Sequence, residues 1–312
     1  MKTSFQRINL TWIIALLTCG SVKLTSAQTL IVGDQYDVVG SGTGFALGSG
    51  VNSGINPPTT RLTGSLAGNL RYLQTATAKS PTLYSITNDK LQVSGGVNSG
   101  RFTLSADGTT AFDFSSALGA STATAAAPAF YDITISMANN SAGTQRFSFA
   151  LGTAETDATA WDFGLQLYRA NAADDFYTIQ QRIDTGSSGL GADLNSPILT
   201  TGAGTYGSEL DFLIRVTDAG AETEAAYDSR LQVSLDGGTS WFYDTSTDSS
   251  LVNGWHLDGT GRYFSWDQAG NIGTVTYDNF SVTDVPEPSA LALAGLGGTA
   301  ILFRRLRRVH CS

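Results

Sequence analysis

The residues best equipped for chemistry in this chain of 312 are its carboxylates, because other nucleophiles and bases are scarce. Breaking a glycosidic bond with retention takes two carboxyl groups, nucleophile and acid, about 5–5.5 Å apart. Between residues 28 and 285 the glutamates are Glu155, Glu209, Glu222 and Glu224. The last two sit in DAGAETEAA, a turn-like stretch expected to face solvent. One histidine, His256, falls in this region and no G-x-S-x-G occurs, so neither a His-rich metal site nor a serine triad is expected. Cys19 and Cys311 lie close to the two ends, which removes thiolate metal sites and cysteine nucleophiles from everything between. Gly202-Ala203-Gly204-Thr205-Tyr206-Gly207 matches G-x-G-x-x-G but leads into a strand pattern, so it is a loop and not a dinucleotide site. Asp174-Asp175, Asp193-Leu194-Asn195 and Asp267 offer oxygen ligands to a structural calcium ion, without EF-hand spacing. No other cofactor and no metal-ligating motif is expected.

Ser234-Leu235-Asp236-Gly237-Gly238-Thr239-Ser240-Trp241 fits S-x-D-x-G-x-[ST]-W, which resembles the Asp-box of sialidases. In that pattern Asp236 accepts from turn amides, the glycines allow positive φ, and Trp241 packs over the hairpin. The role is structural, and a single copy cannot build a propeller. Aromatic faces stack on sugar rings, and Trp241, Tyr243, Trp255, Tyr263 and Trp266 are the candidates, most of them expected in the core.

The two ends carry the most specific signals. Lys2 and Arg7, the short apolar stretch Leu10–Leu17 and the small residues Thr25-Ser26-Ala27 read as a secretory signal over 1–27, cut by signal peptidase between Ala27 and Gln28. At the other end Val285-Pro286-Glu287-Pro288-Ser289 precedes an apolar run to Phe303 and then Arg304-Arg305-Leu306-Arg307-Arg308. A helix over 289–303 would be about 22 Å long, short against a hydrocarbon core of about 30 Å. The arginines would hold its C-terminal end in the cytoplasm. This tail resembles the PEP-CTERM sorting signal: Pro286, Glu287 and Pro288 match the motif, and Arg304 and Arg305 match its basic end. The resemblance implies recognition by an exosortase, a membrane transpeptidase-like enzyme of bacteria that also make extracellular polysaccharide. It implies cleavage near Pro-Glu-Pro and transfer to the cell surface or matrix. It implies nothing about the activity of the region between the signals.

That region, residues 28–285, holds 11 of the 18 basic residues and 26 of the 27 acidic ones, a net charge of −15. Such a surface repels phosphate backbones, so nucleic acid is not an expected partner. Only 14% of the chain is charged, against about 25% in soluble domains. Ser, Thr, Gly and Asn make up the difference, as suits turn-rich β-structure.

The elements that must position these residues alternate with period two. Ile133, Ile135 and Met137 share one face of 130–137, and 146–151, 161–168 and 210–216 alternate likewise. Further strands are expected at 229–235, 240–243, 262–266 and 273–283, with turn residues between. Residues 117–129 (ALGASTATAAAPA) are the candidate linker or loop, a place where the region could subdivide. Gly50-Val51-Asn52-Ser53-Gly54 recurs as Gly96-Val97-Asn98-Ser99-Gly100, and R-Φ-T-x-S-x-x-G occurs at 61–68 and 101–108. From about 130 to 283 the pattern resembles concanavalin A-like lectin/glucanase jelly rolls, with Asp278-Asn279-Phe280-Ser281-Val282 resembling their closing strand before a PEP-CTERM tail. Glucanases of that fold carry an E-x-D-x-x-E-like pattern on one strand. Glu155-Thr156-Asp157 and Glu209-Leu210-Asp211 both lack the third carboxylate.

The expectation is therefore an all-β, antiparallel jelly-roll sandwich over 28–285, between a signal peptide (1–27) and a sorting tail (286–312) with one transmembrane helix at 289–303. It would be exported, held in the membrane by that helix, and passed to the cell surface or matrix. Its partners would be signal peptidase and exosortase during processing and extracellular polysaccharide afterwards, with no catalytic residues. A polysaccharide-active hydrolase with an unrecognised site and a purely structural surface protein remain as alternatives.

Overall fold

Period-two runs form strands wherever one face can be buried, and here they assemble two sheets over a shared core. The computed structural model describes residues 28–36, 46–47, 54–56, 62–74, 84–94, 100–141, 146–152, 161–182, 198–220, 229–247, 261–268 and 273–285. Its strands are β1 (Thr29–Asp34), β2 (Ala46–Leu47), β3 (Gly54–Asn56), β4 (Arg71–Gln74), β5 (Tyr84–Thr87), β6 (Lys90–Val93), β7 (Gly100–Ser105) and β8 (Ala129–Asn139). They continue with β9 (Phe147–Gly152), β10 (Trp161–Tyr168), β11 (Tyr177–Arg182), β12 (Ile198–Ala203), β13 (Leu210–Asp218), β14 (Arg230–Ser234), β15 (Tyr243–Asp244), β16 (Tyr263–Gln268) and β17 (Val275–Asp284). All described pairings are antiparallel. The first sheet has eight strands, in the order β15-β14-β13-β8-β17-β6-β5 with β1 also on β17. The second has nine, in the order β12-β11-β10-β9-β16-β7-β4-β3-β2.

The core lies between the two. Ile133, Ile135 and Met137 of β8 and Phe212, Ile214 and Val216 of β13 face Phe147, Phe149 and Leu151 of β9 and Phe163, Leu165 and Leu167 of β10. Aromatic rings join the layers. Trp266 of β16 stacks on Phe102 of β7 at 5.0 Å and meets the edge of Phe280 of β17 at 4.9 Å. Edge-to-face contacts of this kind add about 0.5–1.5 kcal/mol beyond burial.

Strand β17 closes the first sheet and depends on one irregularity. Its register on β8 shifts between Asp278 and Ser281, and Asn279 there has φ +48°. This bulge keeps Val275 and Tyr277 before it and Phe280 and Val282 after it on the core face, all 0% exposed. Without the extra residue, strict alternation would turn Phe280 to solvent.

A fully buried ion pair ties β13 to the start of β16. Arg262 Nε and Nη2 donate to Asp218 Oδ2 and Oδ1 at 2.6 and 2.9 Å, and Nη1 donates to the Gly261 carbonyl at 2.7 Å. The Tyr131 hydroxyl and the Gly220 amide also donate to Asp218, at 3.1 and 2.9 Å. Burial pushes the Tyr131 hydroxyl pKa well above its ordinary value.

Three sequence expectations take a different form. Residues 240–242 belong to a turn, and β15 begins only at Tyr243. The repeated R-Φ-T-x-S-x-x-G pattern does not repeat a structure: 101–105 lies in β7, while 62–69 is turn and a 3-10 helix at Ala67–Asn69. Residues 117–128 run as turns with a 3-10 helix at Ala120–Thr122 and Ala129 opens β8, all within the single compact unit Thr29–Val285. Among the described residues no helix is long and apolar enough to cross a membrane; the expected helix at 289–303 lies outside them.

Candidate functional site

Each sheet turns one face away from the core, and the two faces differ in how their polar groups are used. On the first sheet they satisfy one another. Arg215 Nε and Nη2 each donate to Asp132 at 2.8 Å, and its guanidinium lies 5.3 Å from the Trp241 ring centroid. Arg230 Nε and Nη2 bind Asp244 at 2.9 and 2.5 Å, which holds the Asp244 carboxyl pKa down at about 2. Thr134 and Ser281 share a bond of 2.6 Å, and Ser136 Oγ donates to Asp211 at 2.5 Å. Lys90 binds Glu209 and lies 3.7 Å from Asp278. Glu209 and Asp211 are thus spent on Lys90 and Ser136. Glu155, Glu222, Glu224, His256 and Trp255 lie outside the described residues.

The Asp236 segment belongs to this sheet. Ser234 Oγ donates to Asp236 Oδ1 at 2.7 Å and accepts the amides of Asp236 and Gly238 at 3.1 and 2.9 Å. Asp236 accepts the Ser240 amide at 2.8 Å and the Ser240 hydroxyl at 2.5 Å, which together lower its pKa to about 2. Trp241 is half-buried, and a side chain at Gly238 would come within 3.4 Å of its ring. The second sheet repeats the device at Ser105-Ala106-Asp107-Gly108-Thr109-Thr110. Ser105 Oγ accepts the Gly108 amide at 2.9 Å, and Asp107 accepts the amides of Thr109 and Thr110 at 2.7 and 2.8 Å. Those amides pull the Asp107 carboxyl far below the usual range. The shared S-x-D-G is legible in the sequence and marks both turns.

The outer face of the second sheet is organised otherwise. Register places Arg101 opposite Asp267, Asp267 opposite Ser148, Ser148 opposite Gln166, and Gln166 opposite Gln180. One polar row therefore crosses β7, β16, β9, β10 and β11. Neighbouring strands lie about 4.8 Å apart, so its hydrogen-bonding groups repeat at that step. The row is withdrawn from bulk solvent: Asp267 and Ser148 are 0% exposed, Gln166 1% and Gln180 7%. Arg101 Nη2 binds Asp267 at 3.0 Å, so its one carboxylate is charge-balanced. Ser148 Oγ, Gln166 Nε2 and Thr178 Oγ1, the last beside Gln180 on the same face, are buried with no hydrogen-bond partner among the described residues. Leaving such groups unmade costs about 1–3 kcal/mol each.

Beside the row the sheet is floored by small side chains. Thr103, Ser265, Ala150 and Gly164 stand opposite one another in turn. Tyr263, half-buried on the same face, flanks this floor opposite Gly152, and its ring would be struck by any side chain at Gly261, 2.5 Å away. On the far side of the polar row, Tyr168 stands opposite Thr178 with the Arg146 guanidinium 4.5 Å from its ring. The polar row and its small-residue floor thus lie between Tyr263, half-buried, and Tyr168, buried beside the Arg146 guanidinium.

The remaining candidates are placed as follows. Trp266 and Tyr243 are core residues, 0% and 2% exposed, and the Tyr243 hydroxyl donates to Gln181 at 3.0 Å. The 202–207 segment ends β12 and turns toward β13, with the Gly207 amide donating to the Tyr177 hydroxyl at 3.0 Å. Asp174 accepts the Asn171 amide at 2.9 Å in a turn; Asp193 and Asn195 lie outside the described residues. Among the described residues no group of three or more His, Cys, Asp or Glu side chains could hold a metal ion. Gln28 is exposed immediately before β1, while Ala27, Pro286, Glu287, Pro288, Arg304 and Arg305 lie outside the described residues.

Residues 284–308 match the PEP-CTERM protein-sorting motif. No curated protein matches the chain by sequence. The sandwich is similar to solved lectin- and glucanase-type structures. An alginate lyase from Pseudomonas aeruginosa is 14% identical, covering 66% of this chain and 87% of that one, with a TM-score of 0.39. The carbohydrate recognition domain of Emp46p, in a potassium-bound form, is 8% identical over 76% and 95% of the two chains, with a TM-score of 0.43. An endo-beta-1,3-glucanase from Pyrococcus furiosus is 10% identical over 66% and 79%, with a TM-score of 0.40. These likenesses concern the β-sandwich and not its ligand.

Proposed function

We propose that this PEP-CTERM-sorted chain is released from its signal peptide by signal peptidase, reaches the cell surface or matrix, and there binds extracellular polysaccharide without transforming it. The observation that carries the reading is the row Arg101–Asp267–Ser148–Gln166–Gln180, in which Ser148 Oγ and Gln166 Nε2 have no hydrogen-bond partner among the described residues. A polysaccharide presents hydroxyls that donate and accept at regular intervals, and Gln and Ser side chains do both. A sheet holds such side chains rigidly, which lowers the ordering cost of binding. Tyr263, half-buried on the same face, adds aromatic surface beside the row.

Binding is favoured over hydrolysis because the row supplies one carboxylate, Asp267, already neutralised by Arg101. Glycoside hydrolysis takes a proton donor and a nucleophile or base from two carboxyl groups. The test is retention of the exported protein on the producer's own exopolysaccharide and on a glycan array. Retention that falls in the Gln166→Leu and Gln180→Leu variants supports the reading. Absence of binding to any glycan rejects it in favour of a structural surface protein, and release of oligosaccharides would establish an enzyme instead.

A further inference from the structure

The folded unit ends without a spacer before its sorting motif. On one edge of β17, Asp284 stands opposite Thr29 of β1 and Thr283 opposite Leu30. On the other edge Asp284 stands opposite Tyr131 of β8. The Val285 amide donates to the Phe130 carbonyl at 2.9 Å, so the ladder reaches the residue immediately before Pro286. The motif match itself begins at 284, inside the strand.

Enzymes that cut or transfer a peptide segment hold it extended, commonly by adding it to a sheet of their own through main-chain hydrogen bonds. A segment already in a ladder, with Asp284 paired to β1 and β8 and Val285 bonded to β8, cannot be held that way until it is released. We infer that the fold sets both the N-terminal limit and the pace of the sorting cut. Asp284 and Val285 are withheld from the sorting enzyme by β8 and β1, so the bond broken lies C-terminal to Val285. Processing of the folded chain then waits on the end of β17 peeling from its neighbours. The strand that completes the clamp, β1, is the first among the described residues and directly follows the expected Ala27–Gln28 cut. It is therefore already exported when β17 emerges, and the clamp closes before the motif is cut.

Pulse-chase labelling in the producing cells, with intact-mass analysis of the product, tests this. Each ladder hydrogen bond changes an opening equilibrium by about two- to tenfold. A six-residue Gly/Ser insert between Val285 and Pro286, which leaves every strand intact, should therefore speed processing by about tenfold or more. A Thr29→Cys/Asp284→Cys staple in a Cys311→Ser background should slow it, and reductant should restore the rate. The mature chain should end at Val285 or beyond. An insert variant processed at the parental rate, a staple without effect, or a mature chain ending before Val285 would overturn the inference.

Discussion

Replacing Arg262 by Leu should be among the most damaging single changes available in this sandwich. The side chains of Arg262 and Asp218 are 1% and 0% exposed, and each spends its charge on the other. Losing the guanidinium leaves the Asp218 carboxylate with the Tyr131 hydroxyl and the Gly220 amide but no counter-ion. Removing one member of a buried pair costs about 3–5 kcal/mol. Whole-domain stabilities are about 5–15 kcal/mol, so a large share of the total is at stake. At about 2–4 °C per kcal/mol for a domain of this size, Tm should fall by about 6–20 °C. Urea and thermal unfolding of the exported protein, followed by circular dichroism, measure the loss. The double variant Arg262→Leu/Asp218→Leu removes both charges and should be less destabilised than the sum of the two single changes. A loss below about 1 kcal/mol for Arg262→Leu, or strict additivity in the cycle, would refute the assignment of this pair as a mutually dependent buried unit.

Other expectations follow from the same physics. Asn279→Gly should be tolerated, whereas Asn279→Val should cost about 1–2 kcal/mol, because a β-branched residue resists the positive φ that keeps Phe280 in the core; unfolding midpoints of the two variants decide it. The Asp236 and Asp244 carboxyls are held near 2, below their unfolded values, by Ser240 and Arg230 respectively. Their contribution is present above the unfolded pKa and lost as pH falls through the folded one. Tm should therefore decline between about pH 4 and pH 2, and Asp244→Asn should blunt that decline. Asp236→Ala should lower Tm while leaving glycan retention unchanged, since its oxygens serve the turn after β14; loss of retention at unchanged Tm would make that turn a binding element.

Strands were legible where one face is apolar and alternation is clean, as in Ile133-Thr134-Ile135-Ser136-Met137 of β8. The closing strand was read at 273–283, but the bulge at Asn279 that rephases it was not, because a single residue in the left-handed region leaves no periodic signal. β11 escaped notice because Gln180-Gln181 interrupts the alternation, one amide lying on each face of the sheet. β12, with Thr200-Thr201-Gly202 on an edge, lacks the apolar face that marks a strand. Short segments before residue 100 carry too few apolar residues to show a period. The polar row was hidden for a different reason. Arg101, Ser148, Gln166, Gln180 and Asp267 are scattered through the chain and meet only through register. The available signal was a buried-strand pattern with Gln or Ser set into it, as in Leu165-Gln166-Leu167. Asp267, by sequence an oxygen ligand for calcium, is instead bound to Arg101.

The most direct test of the binding account is a paired measurement on Gln166→Leu. Glycan affinity and unfolding free energy should be determined on the same preparation, by calorimetric titration and urea unfolding. If Gln166 faces a ligand, its buried Nε2 is a donor kept unpartnered for that ligand. An apolar replacement of similar size should then abolish or greatly weaken binding while leaving stability unchanged or raised by about 1 kcal/mol. A variant that binds glycan as the parent does, or one destabilised by more than about 2 kcal/mol, would show that the row serves the fold and not a ligand.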